Sequence, residues 1–237
     1  GNPEHLGRAR TTGSPRPENM VVDRLACPRE HARKKASFSY HGKWSSWSCS
    51  AMKGWRTRME DAFVAVSNLG VGSDVASDRA LFAIFDGHGG EEVALFCQRH
   101  FPEQVKNLLQ KRVSSAALFT QAFDAMDDLL RLPESAEELR CLSRGSHLLD
   151  KDQLECNSPV KDYCNGHGCE NQGQGGQHPA DKVGSTALAI LLTAESVVCG
   201  NAGSSGAVLC RGGNAVELSF NHKPSLREER RRIEEAG

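Results

Sequence analysis

The sequence has next to no net charge, no long apolar run and no regular cysteine pattern, and each lack excludes a class of function. Lys and Arg number 29 against 30 Asp and Glu, a formal net charge of −1 over 237 residues, so no global basic field recruits nucleic acid or an anionic membrane. The longest apolar runs, TALAILLT and ALFAIF, fall far short of the ~20 residues that cross a bilayer, and no signal-peptide pattern opens the chain. Gly1 followed by NPEHL imitates a myristoylated start, but Leu6 stands where Ser or Thr is expected. Nine cysteines, an odd number scattered through strand-like and helix-like segments, read as reduced thiols rather than a secreted disulfide framework. The expectation is a monomer of the cytoplasm or nucleus that binds neither nucleic acid nor membrane.

What the chain does have is 38% hydrophobic residues, enough for one domain of ordinary size with a core of its own. Residues 1–45 are rich in Arg, Pro, Ser and Gly without a sustained period and read as a disordered basic tail, with HARKK a solvated run. Residues 46–237 carry the globular pattern. It is interrupted at 133–182, where apolar periodicity fades into NGHGCENQGQGGQHPAD, a composition typical of a flexible insertion. Gly1 in place of Met, and RRIEEAG stopping in mid-pattern, suggest a processed or incomplete piece.

Chemistry concentrates in LFAIFDGHGG, Leu81 to Gly90, where an apolar run ends in an aspartate, a histidine and three glycines. MEDAFVAVSNL and RALFAIFDG are both strand-like and are separated by the turn-like GVGSDVASD, so they should pair antiparallel. A turn centred near Ser73 and Asp74 puts Phe63 opposite Ile84 and Asp61 opposite Asp86. Glu60, Asp61 and Asp86 then gather at one end of the pair, and facing like charges are destabilising. A divalent cation relieves that repulsion, and an all-oxygen set favours Mg²⁺ or Mn²⁺ over zinc. Gly87 leaves its carbonyl accessible as a ligand and permits a sharp turn into the next helix. That helix, EEVALFCQRHF, should pack on the sheet through Val93, Phe96, Cys97, His100 and Phe101. His88 stays off this face, where an imidazole could give a proton to a leaving group, although spacing alone leaves open a turn histidine without a role.

AMKGWRTRMEDAF, FAIFDGHGG, VGSTALAILL, VCGNAGSSGAVL, FNHKP and RRIEEAG occur in the order found in metal-dependent, type 2C protein serine/threonine phosphatases, and the chain resembles that family over residues 47–132 and 183–237. DGHGGEEVALFC is most similar to the gamma-isoform subgroup. The resemblance implies an α+β fold, a four-layer α-β-β-α sandwich of two antiparallel sheets flanked by helices, here incomplete at the C-terminus. It implies that Asp86 bridges two Mg²⁺ or Mn²⁺ ions, that the Gly87 carbonyl binds one of them, and that Glu60 and Asp61 hold metal-bound waters. It also implies that Arg56 grips the phosphate and that His88 is the general acid. The activity implied is hydrolysis of phosphoserine and phosphothreonine in protein substrates by a metal-bridged water, with no phosphoenzyme.

The departures from the family pattern are specific. Where GDSR is usual the chain has Gly203-Ser204-Ser205-Gly206, so Ser204 replaces an acid tied to an additional metal position, and DHKP reads Asn221-His222-Lys223-Pro224. The family's later metal-binding aspartates would lie past Gly237, which makes an inactive truncated chain or pseudophosphatase that binds phosphoproteins the rival expectation. Gly200, Gly203 and Gly206 lack nucleotide-loop spacing and read as a tight strand turn. Cys156, Cys164, His167 and Cys169 could make a zinc module, but their spacing fits no established zinc pattern and a disordered loop is the alternative. KPSLREERRRIEEAG reads as a helix with a solvated, charged surface.

Overall fold

A computed structural model of the chain describes residues 35–70, 79–144 and 178–237. Its centre is an antiparallel sheet in the order β3-β4-β6-β7, with β5 joined to the far end of β4. These strands are β3 (Asp61–Val66), β4 (Arg79–His88), β5 (Gly184–Ser185), β6 (Ala187–Thr193) and β7 (Val197–Ala202). Strand β3 pairs with β4 in the expected register, Asp61 opposite Asp86 and Phe63 opposite Ile84. The turn proposed at Ser73 and Asp74 lies outside the described residues.

Alternation along β3 divides its side chains between two apolar layers. Ala62, Val64 and Val66 join Leu81, Ala83 and Phe85 of β4 in the main core, beneath helix α1 (Glu92–Gln110). Phe63 and Ala65 face the other way, toward Phe38, Trp47 and Cys49. Those three belong to a hairpin of β1 (Lys35–His41) and β2 (Ser46–Met52), which the Trp47 indole also ties to β3's end by donating to Ser67 Oγ at 3.2 Å. Two-sided covering explains why all five residues after Asp61 in β3 are buried.

Helix α1 is fastened to the edge strand by the buried Gln98 amide, which donates to the Phe63 carbonyl at 2.7 Å. Phe101 packs edge-on against Phe85 of the sheet and stacks with Phe119 and Phe123 of helix α2 (Ser115–Arg131). Val93, Phe96, Cys97 and Phe101 are buried as expected, and burial pushes the Cys97 thiol up to about 12, with the Asp127 charge adding to it. His100 is only half-buried. It lies 2.8 Å from Glu138 of helix α3 (Ser135–Ser143), beside an Arg99–Glu138 contact of 3.1 Å.

Two sequence boundaries move. Strand β1 begins at Lys35, inside the expected 1–45 tail, because KASFSYH alternates polar and apolar residues over a partner strand. Helix α3 occupies the start of the expected 133–182 insertion and places Leu139 and Leu142 in the main core. Residues 145–177 of that expectation, with the Cys156, Cys164, His167 and Cys169 cluster, lie outside the described residues, and its last part forms a short 3-10 helix at Pro179–Asp181.

The α+β architecture of antiparallel sheets and helices is as expected. Of the four layers anticipated, the described residues build three: helices, the main sheet, and the β1–β2 hairpin. Strands β8 (Val208–Arg211) and β9 (Asn214–Glu217) form a separate hairpin, and helix α4 (Arg227–Ala236) buries no residue, in keeping with its charged surface. No helix among the described residues is long and apolar enough to cross a membrane.

Two measurements test this packing. Leu139 is 0% exposed, so Leu139→Ala should cost about 3 kcal/mol by denaturant unfolding, a core-cavity loss that no peripheral insertion would show. Burial alone would raise the Glu138 carboxyl, but hydrogen bonds and charge from His100 and Arg99 hold it below its usual range. A carboxylate depressed in the folded state stabilises above its unfolded pKa, and that contribution disappears as pH falls through the folded value. Glu138→Gln should therefore lose about 2 kcal/mol at neutral pH. Its stability curve should converge on the wild type as pH falls below the ordinary glutamate value of about 4.3 and on through the lower folded one.

Candidate active site

The upper end of the β3–β4 pair brings two carboxylates face to face. Asp61 opens β3 directly across from Asp86 near the end of β4. The Asp61 carboxyl is raised above its usual range, first by burial, then by the charge and hydrogen bond of Asp86, with Glu60 adding to the rise and Arg56 opposing it. Such a pair is charge-frustrated, and a hard divalent cation suits both its oxygen chemistry and its sign.

Glu60 precedes the pair, and its charge reaches Asp61. Among the described residues no group of three or more His, Cys, Asp and Glu is assembled for a metal ion. Glu60 lies just before β3, and its backbone reaches toward β4. A Cβ on the buried Gly87 would collide with the Glu60 carbonyl oxygen and come within 3.2 Å of the Ala94 Cβ. Glycine at 87 therefore lets three chain segments close around the carboxylate pair.

Arg56 is exposed on the loop before β3, where its charge reaches Asp61. His88 is exposed at the last position of β4 and pairs with Gly184. Gly89, at φ +78°, then turns the chain, passing so near the Lys182 carbonyl that a Cβ would stand 2.6 Å from it. One edge of the domain thus presents a cation, a pair of opposed acids and an imidazole.

The family model described as "Protein phosphatase 2C" matches residues 45–149 and 161–237. The chain belongs to the protein phosphatase 2C family. "Probable protein phosphatase 2C 4" of Paramecium tetraurelia is 33% identical over 208 residues, covering 86% of this chain and 56% of that protein. "Probable protein phosphatase 2C 42" of Oryza sativa subsp. japonica is 34% identical over 203 residues, covering 81% and 51%. The chain thus spans about half the length of the curated relatives it matches. The solved structure of a C. elegans sex determining protein shares the fold, with a TM-score of 0.51 at 21% identity over 86% of this chain and 38% of that one.

The phosphatase 2C sequence pattern also contains residues whose work appears only in the fold. Thr186 brackets Asp86: its N–H donates to the Asp86 carbonyl at 2.9 Å, and its Oγ1 accepts from the Asp86 N–H at 3.3 Å. The same Oγ1 lies 3.0 Å from Ser205 Oγ. Ser205 follows the turn glycine Gly203, at φ +115°, where a Cβ would stand 2.7 Å from Thr186 Cγ2. The segment that departs from the family's DHKP closes on this turn, since Gly203 N–H donates to His222 Nδ1 at 3.3 Å and His222 N–H donates to the Gly203 carbonyl at 2.9 Å. Gly200 lies in β7 against Phe119 of α2, so the glycine series belongs to strand and turn packing, as its spacing suggested.

Proposed function

We propose that the protein hydrolyses phosphoserine and phosphothreonine esters of other proteins, with Mg²⁺ or Mn²⁺ as cofactor. The observation that carries this is the Asp61–Asp86 pair, two acids held opposite each other beside an arginine, in a chain of the phosphatase 2C family. Asp61, Asp86 and the Gly87 carbonyl would hold the cation, with Glu60 acting on it at longer range. When bound, the metal neutralises phosphate charge and lowers the pKa of water enough to supply a nucleophile at neutral pH.

The chain's own groups account for the rest. Arg56 offers a planar fork of donors that matches two phosphate oxygens, so it orients the ester. Its proximity to Asp61 brings the phosphate to the carboxylates. His88 holds a proton for the departing serine or threonine oxygen, which as an alkoxide would be a poor leaving group. Thr186 keeps Asp86 in place through both of its backbone groups. DGHGGEEVALFC supports a gamma-like subgroup, and the odd, scattered set of nine cysteines supports a place in the cytoplasm or nucleus.

Phosphate release from a phosphothreonine peptide, measured with and without Mn²⁺, tests the proposal. Arg56→Ala should raise KM by roughly 10-fold or more, as expected for a lost charge-assisted contact to phosphate, while calorimetric Mn²⁺ affinity stays near that of the wild type. Metal-independent release by the wild type, or an unchanged KM in the variant, would contradict it.

A further inference from the structure

We propose that Gly184 is a positioning residue for His88, a seat that exists because position 184 carries no side chain; the inference rests on reading His88 as the proton donor. Strand β5 has two residues, and they pair only with the last two of β4: Ser185 with Gly87, and Gly184 with His88. Side chains directly opposite on neighbouring strands normally stand Cβ to Cβ, about 5 Å apart. Here the imidazole occupies the space of the missing Cβ, which would stand 2.7 Å from both its Cε1 and Nε2 and 3.7 Å from Nδ1. The Cε1–Nε2 edge therefore lies over the Gly184 backbone.

Backbone freedom does not explain this glycine. Gly184 is absent from the positive-φ residues, whereas Gly89 and Gly203 are among them. Nor is the seat loosely placed. Thr186, two residues on, is bound to both backbone groups of Asp86, and Lys182, two residues before, has its carbonyl against Gly89. The chain from Lys182 to Thr186 thus follows the chain from Asp86 to Gly89 at both ends. The stretch that fixes the backbone of Asp86 also fixes where the ring of His88 can rest, and it couples the position of the proton donor to that of the acid pair.

A methyl group at 184 meets only the far end of a rotatable side chain, so Gly184→Ala should turn the ring away without forcing the backbone. In the 237-residue chain, nuclear Overhauser spectra should show contact between His88 Hε1 and the Gly184 α-protons, with those α-protons shifted by the ring current. In Gly184→Ala the His88 Hε1 contact to position 184 should disappear while the thermal midpoint and the Phe85 and Asp86 amide signals stay close to wild type. Turnover of a phosphothreonine peptide should then fall roughly 10–100-fold, as expected for a misplaced reacting group. Turnover of an aryl phosphate should change little, and the substitution should have no further effect in a His88→Gln background.

Absence of the contact in the wild type overturns the proposal without requiring any variant to fold. So does an equal loss on both substrates, or an undiminished loss in the His88→Gln background. Failure of the proton-donor reading looks different: the wild-type contact would be present, but His88→Gln would match the wild type on both substrates or lose equally on both.

Discussion

Asp86→Asn is expected to abolish Mn²⁺ binding and to reduce phosphatase turnover by at least ~10²-fold, the scale on which a preorganised electrostatic group acts. The amide keeps the shape of the carboxylate and its place opposite Asp61, but not the charge that would hold a cation. The same substitution has an opposite effect on the metal-free protein. Asp61 is raised by burial first and by Asp86 next, so removing the Asp86 charge should relieve the pair and leave the apo protein as stable as the wild type or more so. A site that matters only for folding cannot combine these results. Calorimetric titration with Mn²⁺ and thermal melts with and without metal read both; unchanged Mn²⁺ affinity in the variant would falsify the assignment of Asp86.

His88→Gln should slow hydrolysis of a phosphothreonine peptide by roughly 10²–10⁴-fold, the usual contribution of a positioned general acid. An aryl phosphate releases a stable phenolate and needs little protonation, so its hydrolysis should be far less affected. The contrast separates proton donation from phosphate binding, which would slow both substrates together. His88 is suited to the experiment because it is exposed at the end of β4 and forms no part of the apolar core. Comparable losses on the two substrates would remove His88 from the role of acid.

The acid pair was legible before the structure. Strand-like residues on both sides of a short turn-like stretch, with Asp61 and Asp86 near equal distances from it, specify a register, and one-residue slippage would have exchanged the residues that β3 presents to its two apolar layers. Helix α3 was not legible because SAEELRCLS is short and supplies only Ala136, Leu139 and Leu142 to an apolar face, just before a long polar tract. Strand β1 was hidden for a similar reason: serines alternate with Phe38 and Tyr40 inside a basic segment, and only pairing with β2 makes the alternation meaningful.

Local chemistry by itself determined the strand pair, the acids at its end, the glycine-rich exit and the family to which the motifs belong, because each rests on residues near one another in the chain. The tertiary structure decided what those residues meet. Thr186 and Asp86 are 100 positions apart. No periodicity in either segment specifies that a hydroxyl from one will bind the backbone of the other, or that the imidazole of His88 will lie in the space left open at Gly184. Such contacts follow from which strands become neighbours, and strand neighbours are chosen by the burial of two apolar faces across the whole sheet, a property no single stretch of sequence possesses.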